Sequence, residues 1–471
     1  MKNQAEKEEQ KREADESENE EIKESRPNES EWEPDHQNET EVRISMKPQF
    51  KRLKTEAASE VPAMVSLEAK GGTRTSVDLV CVLDVSGSMK VDGKIDLLKD
   101  TITLLINGQH GQEYLTDLDR LSIITFSNKC KVLCELEKVT AESKKKLTEL
   151  VGEIKAGGGT DIDGGMKLGL DILKGRMGRR ETTSILLLSD GVNEGAFDKF
   201  RKTIKSKQYS SLGNFSIHSF GLGSDHDEEL MNSICQLRRG EYYFINQVSE
   251  ISRAFCNVFG GLISMAMTDL TVQLRITSPQ VQMAEAFGMW EQKNERTYKL
   301  KIPQLSTGVS KNLMLKLRVP VHMQRESEEV CEVLYQGYRM DGSVVQDGCL
   351  MKLHYGSKEN ANENIDVTEN LLRVEAAKSI EQAIEEGDKG NFNEGRAILA
   401  RMQGKIEESS QVREKKVGGV AEDLRKVMVK CKESVWEREG RKEAKNAAVA
   451  HMLQNNYQYS NPLQQALAAR R

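Results

Sequence analysis

An α/β fold with a doubly wound, mostly parallel sheet is predicted for the centre of this chain, joined to a β-sandwich and a C-terminal helical region. Three observations predict it. Short apolar runs alternate with helical periods between Val77 and Met267. From Asp269 the apolar positions recur every second residue, and from residue 366 they return to spacings of three and four. Apolar strands separated by helices imply a parallel sheet covered on both faces. Alternation implies strands with one buried face, and the longer spacings imply amphipathic helices.

The elements follow in chain order. The first 45 residues hold 16 Asp or Glu against seven Lys or Arg, a net of −9 that leaves +3 for the rest of a 471-residue chain whose total is −6. Such a segment cannot bury enough apolar surface to offset its ordering entropy, so residues 1–45 are expected to form a disordered, solvating acidic tail. MVSLEAK (Met64–Lys70) alternates and Gly71–Gly72 breaks it, so residues 46–76 are expected as a β segment pairing with the sandwich. The α/β unit, residues 77–267, has apolar strands at DLVCVL (Asp78–Leu83), LSIITF (Leu121–Phe126), SILLLS (Ser184–Ser189), FSIHSF (Phe215–Phe220) and YYFI (Tyr242–Ile245). Ile95, Leu98, Ile102 and Leu105 mark a helix between the first two. KVLC (Lys131–Cys134) follows its neighbour so closely that it reads as an antiparallel hairpin edge.

In the sandwich, residues 268–360, Leu270, Val272, Leu274 and Ile276 alternate with polar residues, and Asp341–Gly342 is a hairpin turn. Residues 361–450 are expected to be helical. Leu371, Val374, Ala377, Ile380 and Ile384 share one face, and Gly387 and Gly390 separate them from a helix carrying Phe392, Ile398, Leu399 and Met402. A third helix would present Val420, Leu424, Val427, Cys431 and Val435. Residues 451–471 read as a flexible C-terminus.

Composition narrows the class. At 37% hydrophobic and 30% charged the chain is polar, and no run reaches the roughly 18–20 apolar residues of a membrane span. The N-terminus has no apolar core of a signal peptide, which points to an intracellular, cytoplasmic protein. None of the eight scattered cysteines forms a C-x-x-C pair, so reduced thiols are expected and a zinc knuckle is not. The basic runs Lys144–Lys146 and Lys174–Arg180 carry no interleaved aromatics, so they read as solvated surface and no nucleic-acid partner is expected.

The first strand ends on a charge and two hydroxyls: Asp84, Ser86 and Ser88 form D-x-S-x-S. A phosphate cradle does not fit. Gly87 and Gly93 enclose five residues where a Walker A loop has four, and Ile95 rather than Ser or Thr follows Lys94. GLGSDH (Gly221–His226) lacks the third glycine of a dinucleotide fingerprint. GGGTD (Gly157–Asp161) puts Thr160 on a glycine run before a helix, and LLLSDG (Leu186–Gly191) ends a second apolar strand on Asp190. In open α/β sheets ligands collect beyond the carboxyl ends of the strands, where the strand order reverses. Two carboxylates and three hydroxyls suit a hard cation, magnesium with manganese as the alternative, and they cannot by themselves fill six positions. An open position would admit a carboxylate from another molecule. The simpler alternative for D-x-S-x-S alone is a capping turn, with Ser86 or Ser88 capping the next helix. Asp92 could approach from the following loop, whereas Asp161 and Asp163 read as cap or loop residues. His218 and His226 are assigned no metal.

Asp84, Ser86, Ser88, Thr160 and Asp190 match all five positions of the metal-ion-dependent adhesion site of von Willebrand factor type A domains. VDLVCVLDVSGSMK, DRLSIITFS, IHSFGLGSDHD and AFCNVFGGLIS extend the resemblance across about Val77–Ser264. The chain looks most similar to the plant wavy-growth type of RING ubiquitin ligases, and more distantly resembles the inter-alpha-trypsin inhibitor heavy chains. The resemblance implies a Rossmann-like sheet with its first and fourth strands adjacent at the centre, which would bring Asp84 and Asp190 together. It implies direct ligation by Asp84, Ser86 and Ser88, with Asp190 acting through water. The expected function is therefore a non-enzymatic intracellular scaffold that captures an Asp or Glu of a protein partner through bound metal. The alternative is the substrate-recognition component of a ubiquitin ligase, with the RING supplied by another chain, because the acidic stretch before residue 46 contains no cysteine.

Overall fold

The computed structural model describes residues 40–465 apart from 55–58, 73, 109–112, 192, 194, 224–225, 246–250, 321–325, 357–362, 410–413, 455–458 and 462–463. Residues 1–39, which make up most of the acidic stretch, lie outside the described residues. The described residues begin with β1 (Glu41–Pro48), β2 (Arg52–Lys54) and β3 (Ser59–Lys70). Glu41 to Ser45 thus belong to a strand and not to the tail. Val42 and Met46 are buried on one face of β1, an alternation that a charge count over a long window does not register.

The α/β unit follows: β4 (Val77–Asp84), α1 (Lys94–Asn107), β5 (Arg120–Phe126), β6 (Cys130–Lys138), α2 (Ala141–Gly152), α3 (Ile162–Gly175), β7 (Thr182–Ser189), α4 (Ala196–Ile204), β8 (Ser216–Leu222), α5 (Glu228–Gln236), β9 (Tyr242–Ile245) and α6 (Ile251–Ile263). The strands form one sheet in the order β6-β5-β4-β7-β8-β9. All neighbours run parallel except β5 and β6, the antiparallel edge. Strand parity sorts β4 between two cores. Leu79, Cys81 and Leu83 pack with Leu98 and Ile102 of α1, Leu147 of α2 and Phe255 and Phe259 of α6. Val80 and Val82 pack with Met166 and Leu170 of α3, Phe200 of α4 and Leu230 of α5. Strands buried on both faces must be apolar throughout, so Asp78 and Asp84 at the two ends of β4 each need a local compensation.

The second half of the sandwich comes after α6: β10 (Met265–Ile276), β11 (Gln282–Ala286), β12 (Glu291–Asn294), β13 (Thr297–Ser306), β14 (Ser310–Val319), β15 (Ser327–Arg339) and β16 (Val344–Gly356). Two sheets result, β1-β3-β14-β11 and β12-β13-β10-β15-β16-β2. Their facing residues, including Val61, Ala63, Val65 and Leu67 of β3 and Leu270, Val272 and Leu274 of β10, make one core. Because β3 pairs with β14 in register from Glu68↔Ser310 to Ser59↔Val319, the α/β unit is inserted between two parts of the sandwich. Its entry and exit lie side by side: Thr75 N–H donates to Ile263 O at 2.8 Å and Thr307 N–H to Ser264 O at 2.7 Å.

The helices α7 (Ile365–Asp388), α8 (Phe392–Glu408), α9 (Glu414–Lys430) and α10 (Arg441–Leu453) close the chain. Leu372, Ile380, Leu399, Met402, Leu424, Val427 and Cys431 share their core. The third helix ends at Lys430, so Val435 falls in the turn beyond it, which carries the buried Trp436. Val367, Leu371 and Val374 of α7 pack on Met64 and Met314, on the face of the smaller sheet away from the sandwich core. Described residues of the expected flexible C-terminus are fixed. α10 runs to Leu453, and Asn461 Nδ2 donates to Ser264 Oγ at 2.9 Å and to Thr307 O at 2.7 Å. Gln464 Nε2 donates to Asn257 O at 2.9 Å. Polar side chains that anchor a tail carry no periodic signal, so hydropathy does not reveal them.

Candidate metal centre

Adjacency of β4 and β7, in register through Leu83↔Leu188, sets Asp84 and Asp190 beside one another at the carboxyl end of the sheet. Asp84 closes β4 and is fully buried. Its Oδ1 accepts from Ser86 N–H at 2.8 Å and its Oδ2 from the Ser189 hydroxyl at 2.5 Å. Burial lifts the Asp84 carboxyl above its ordinary range; hydrogen bonds from Ser189 and Ser86 oppose that, and the charge of Asp190 adds to it.

After Asp84 the chain turns tightly through Gly87–Gly93. The Ser86 side chain does not cap this turn, and α1 has Gly93 at its N-cap position with no side-chain cap. The capping alternative for D-x-S-x-S is therefore not what these serines do. Ser86 Oγ lies 3.0 Å from Ser88 Oγ, and Ser88 Oγ donates to Asp190 Oδ1 at 2.7 Å.

The glycine run is tied to the same turn. Gly87 N–H donates to Gly158 O at 2.9 Å and Gly157 N–H to Val85 O at 2.7 Å. A Cβ on Gly191 would stand 3.0 Å from Thr160 Oγ1, so the threonine hydroxyl rests against the turn that follows Asp190. Asn193 Nδ2 donates to Thr160 O from that turn. Asp161 caps α3 by accepting from Gly164 N–H at 3.0 Å, and Asp92 is exposed at φ 56°.

Two residues of this cluster have no place in the five-residue pattern. Ser189 bridges Asp84 to the β7 turn, accepting from Gly191 N–H at 3.2 Å. Lys94, the first residue of α1, places Nζ 2.6 Å from Asp190 Oδ2. A cation at a helix N-terminus opposes the helix dipole, and the Asp190 carboxylate offsets that here.

The donors are all oxygens, two carboxylates and three hydroxyls, which is the chemistry of a hard cation. Among the described residues no group of three or more His, Cys, Asp or Glu is arranged to hold a metal ion. His218 and His226 are buried elsewhere. Burial holds each near 4, and for His226 the neighbouring Lys442 adds to the effect. Among the described residues no helix is long and apolar enough to cross a membrane.

Residues 78–254 match the family model of the von Willebrand factor type A domain. An uncharacterized protein of Synechocystis, sll0103, is 29% identical over 213 residues, 45% of this chain and 47% of that protein. The E3 ubiquitin-protein ligase WAV3 of Arabidopsis thaliana is 26% identical over 278 residues, 56% of this chain and 35% of the ligase. The chain thus spans less than half the length of these two relatives. Among solved structures, a von Willebrand factor type A protein from Catenulispora acidiphila shares the fold with a TM-score of 0.62, covering 90% of this chain and 99% of that one at 17% identity. With their parallel sheet and central β4–β7 pair, residues 78–254 form a von Willebrand factor type A domain, and the chain is distantly homologous to the plant WAV3-type E3 ligases.

Proposed function

We propose that this protein is a non-enzymatic scaffold whose A domain captures an Asp or Glu of a protein partner through a divalent cation, magnesium with manganese as the alternative. Asp84, Ser86, Ser88, Thr160 and Asp190 would hold it. The observation that carries the reading is Asp84, a fully buried carboxylate whose described hydrogen bonds come from a backbone N–H and a hydroxyl, with no cation on it among the described residues. A bound divalent ion supplies the missing charge and a coordination position for an outside carboxylate. Asp84 provides the buried negative charge, Ser86 and Ser88 present hydroxyls from a turn fixed by two backbone bonds to the glycine run, and Asp190 is held from two sides. The eight cysteines, all free, suit a reducing cytoplasm.

Calorimetric titration with magnesium chloride tests this. Wild type should take up about one ion and Asp84→Ala none; equal behaviour of the two at millimolar metal rejects the site. Partner recovery from lysate should be lost in EDTA.

The similarity to WAV3 over 56% of this chain supports a second reading, the substrate-recognition part of a ubiquitin ligase working with a RING from another chain. Purified protein with a conjugating enzyme should then build chains only when a RING protein is added.

A further inference from the structure

Lys94 lies outside the five-residue pattern, yet it touches one of its members. Its side chain is 14% exposed, Asp190's is 0% exposed, and 2.6 Å separates Nζ from Oδ2. Asp190 Oδ1 is meanwhile occupied by the Ser88 hydroxyl. A Cβ on Gly223 would stand 3.6 Å from Nζ, so the ammonium is wedged between the start of α1 and the loop after β8. An amine enclosed in this way is a fixed charge and not a mobile surface lysine.

We propose that Lys94 couples metal loading to capture of an acid: it weakens the hold on the cation alone and leaves the loaded site one positive charge in excess, to be neutralised by the partner's carboxylate. This rests on the function proposed above and adds its regulation. Asp84, Asp190 and Lys94 together carry one net negative charge. A divalent cation turns that into one positive charge, and a single outside carboxylate brings it to zero. Without Lys94 the two aspartates alone would neutralise the metal, and an outside acid would add uncompensated negative charge. Fixed charges in a poorly solvated cleft act far more strongly than they do in water. Since coupling between two ligands is reciprocal, the acid tightens the metal by the factor by which the metal tightens the acid. Lys90, exposed nearby, is unchanged in every comparison below.

The experiment is calorimetric titration of magnesium chloride into wild type, Lys94→Met and Lys94→Arg, each with sodium acetate or an equal concentration of sodium chloride. Lys94→Met should bind magnesium at least tenfold more tightly than wild type in chloride. Acetate should tighten magnesium several-fold in wild type and Lys94→Arg, and leave Lys94→Met unchanged. Metal affinity in Lys94→Met no tighter than wild type, or an equal acetate effect in the two, overturns the proposal. If wild type and variants all fail to take up magnesium, the metal site itself is refuted and the coupling falls with it. Melting in EDTA checks folding, and Lys94→Gln substitutes with the same readout should the methionine variant not fold.

Discussion

Strand β4 carries a buried aspartate at each end, and the two are treated in opposite ways. At the amino end, Asp78 accepts from Arg120 Nε at 2.7 Å and Arg120 Nη2 at 2.8 Å, with Arg176 Nη1 at 3.2 Å. At the carboxyl end, Asp84 receives a hydroxyl and a backbone N–H, and the nearby ammonium of Lys94 goes to Asp190 instead. One end of the sheet is neutralised by the chain's own guanidinium groups. At the other, no described cation reaches Asp84. An uncancelled buried carboxylate is costly, and its place beside Asp190 at the reversal of strand order is where a ligand would relieve it.

The comparison breaks most readily at the Asp78 end. Asp78→Ala strands Arg176, whose side chain is 3% exposed, and Arg120, at 13%. A loss of about 3–5 kcal/mol in urea unfolding is expected, with the magnesium response of the folded fraction intact. A loss below 1 kcal/mol would show that the arginines do not need their acid.

Acid sharpens the comparison next. His218 and His226, held near 4 against an ordinary 6.5, fold in the neutral form. Their folded values lie below the unfolded ones, so the stability they contribute is complete above about pH 6.5 and is lost as pH falls through about 4. Each shift is worth on the order of 3 kcal/mol. The urea midpoint should fall between pH 7 and pH 4.5, and less so in His218→Gln. His226 follows β8, where Lys442 Nζ of α10 donates to its backbone O at 2.9 Å, so His226→Gln tests that contact separately.

At the proposed metal site, Asp84→Asn should change stability in EDTA by no more than about 1 kcal/mol. It should also abolish the gain from magnesium, about 2.7 kcal/mol when the free metal is 100 times Kd. Differential scanning with and without EDTA reads both quantities. Smallest of all, Lys445→Ala removes a partly exposed pair with Glu228 at 3.6 Å and should cost under about 1 kcal/mol by the same melts.

The aspartates were legible because an apolar run that stops on a charge is conspicuous, and Thr160 because three glycines precede it. Lys94 was not, since its meaning depends on an acid 96 positions away along the chain. Ser189 closed an apolar run and read as one more strand residue. The sandwich was visible in its alternation, including the strand at Met64, but the start of β1 was hidden under the charge of the tail. Asn461 and Gln464 were invisible because a single amide bonding to a backbone carbonyl leaves no pattern in hydropathy.

The insertion of the α/β unit also orders events at the ribosome. β3 emerges long before β14, the strand it pairs with from Glu68 to Ser59. At about 5–20 residues per second of synthesis, nascent β3 waits many seconds with Val61, Val65 and Leu67 uncovered. The inserted unit can fold meanwhile and bring the two chain ends together at Thr75 and Ile263. A strand paired along one edge only, by β1, and uncovered on its apolar face is a chaperone's natural client, so newly made protein should aggregate more readily than protein refolded after β14 is present.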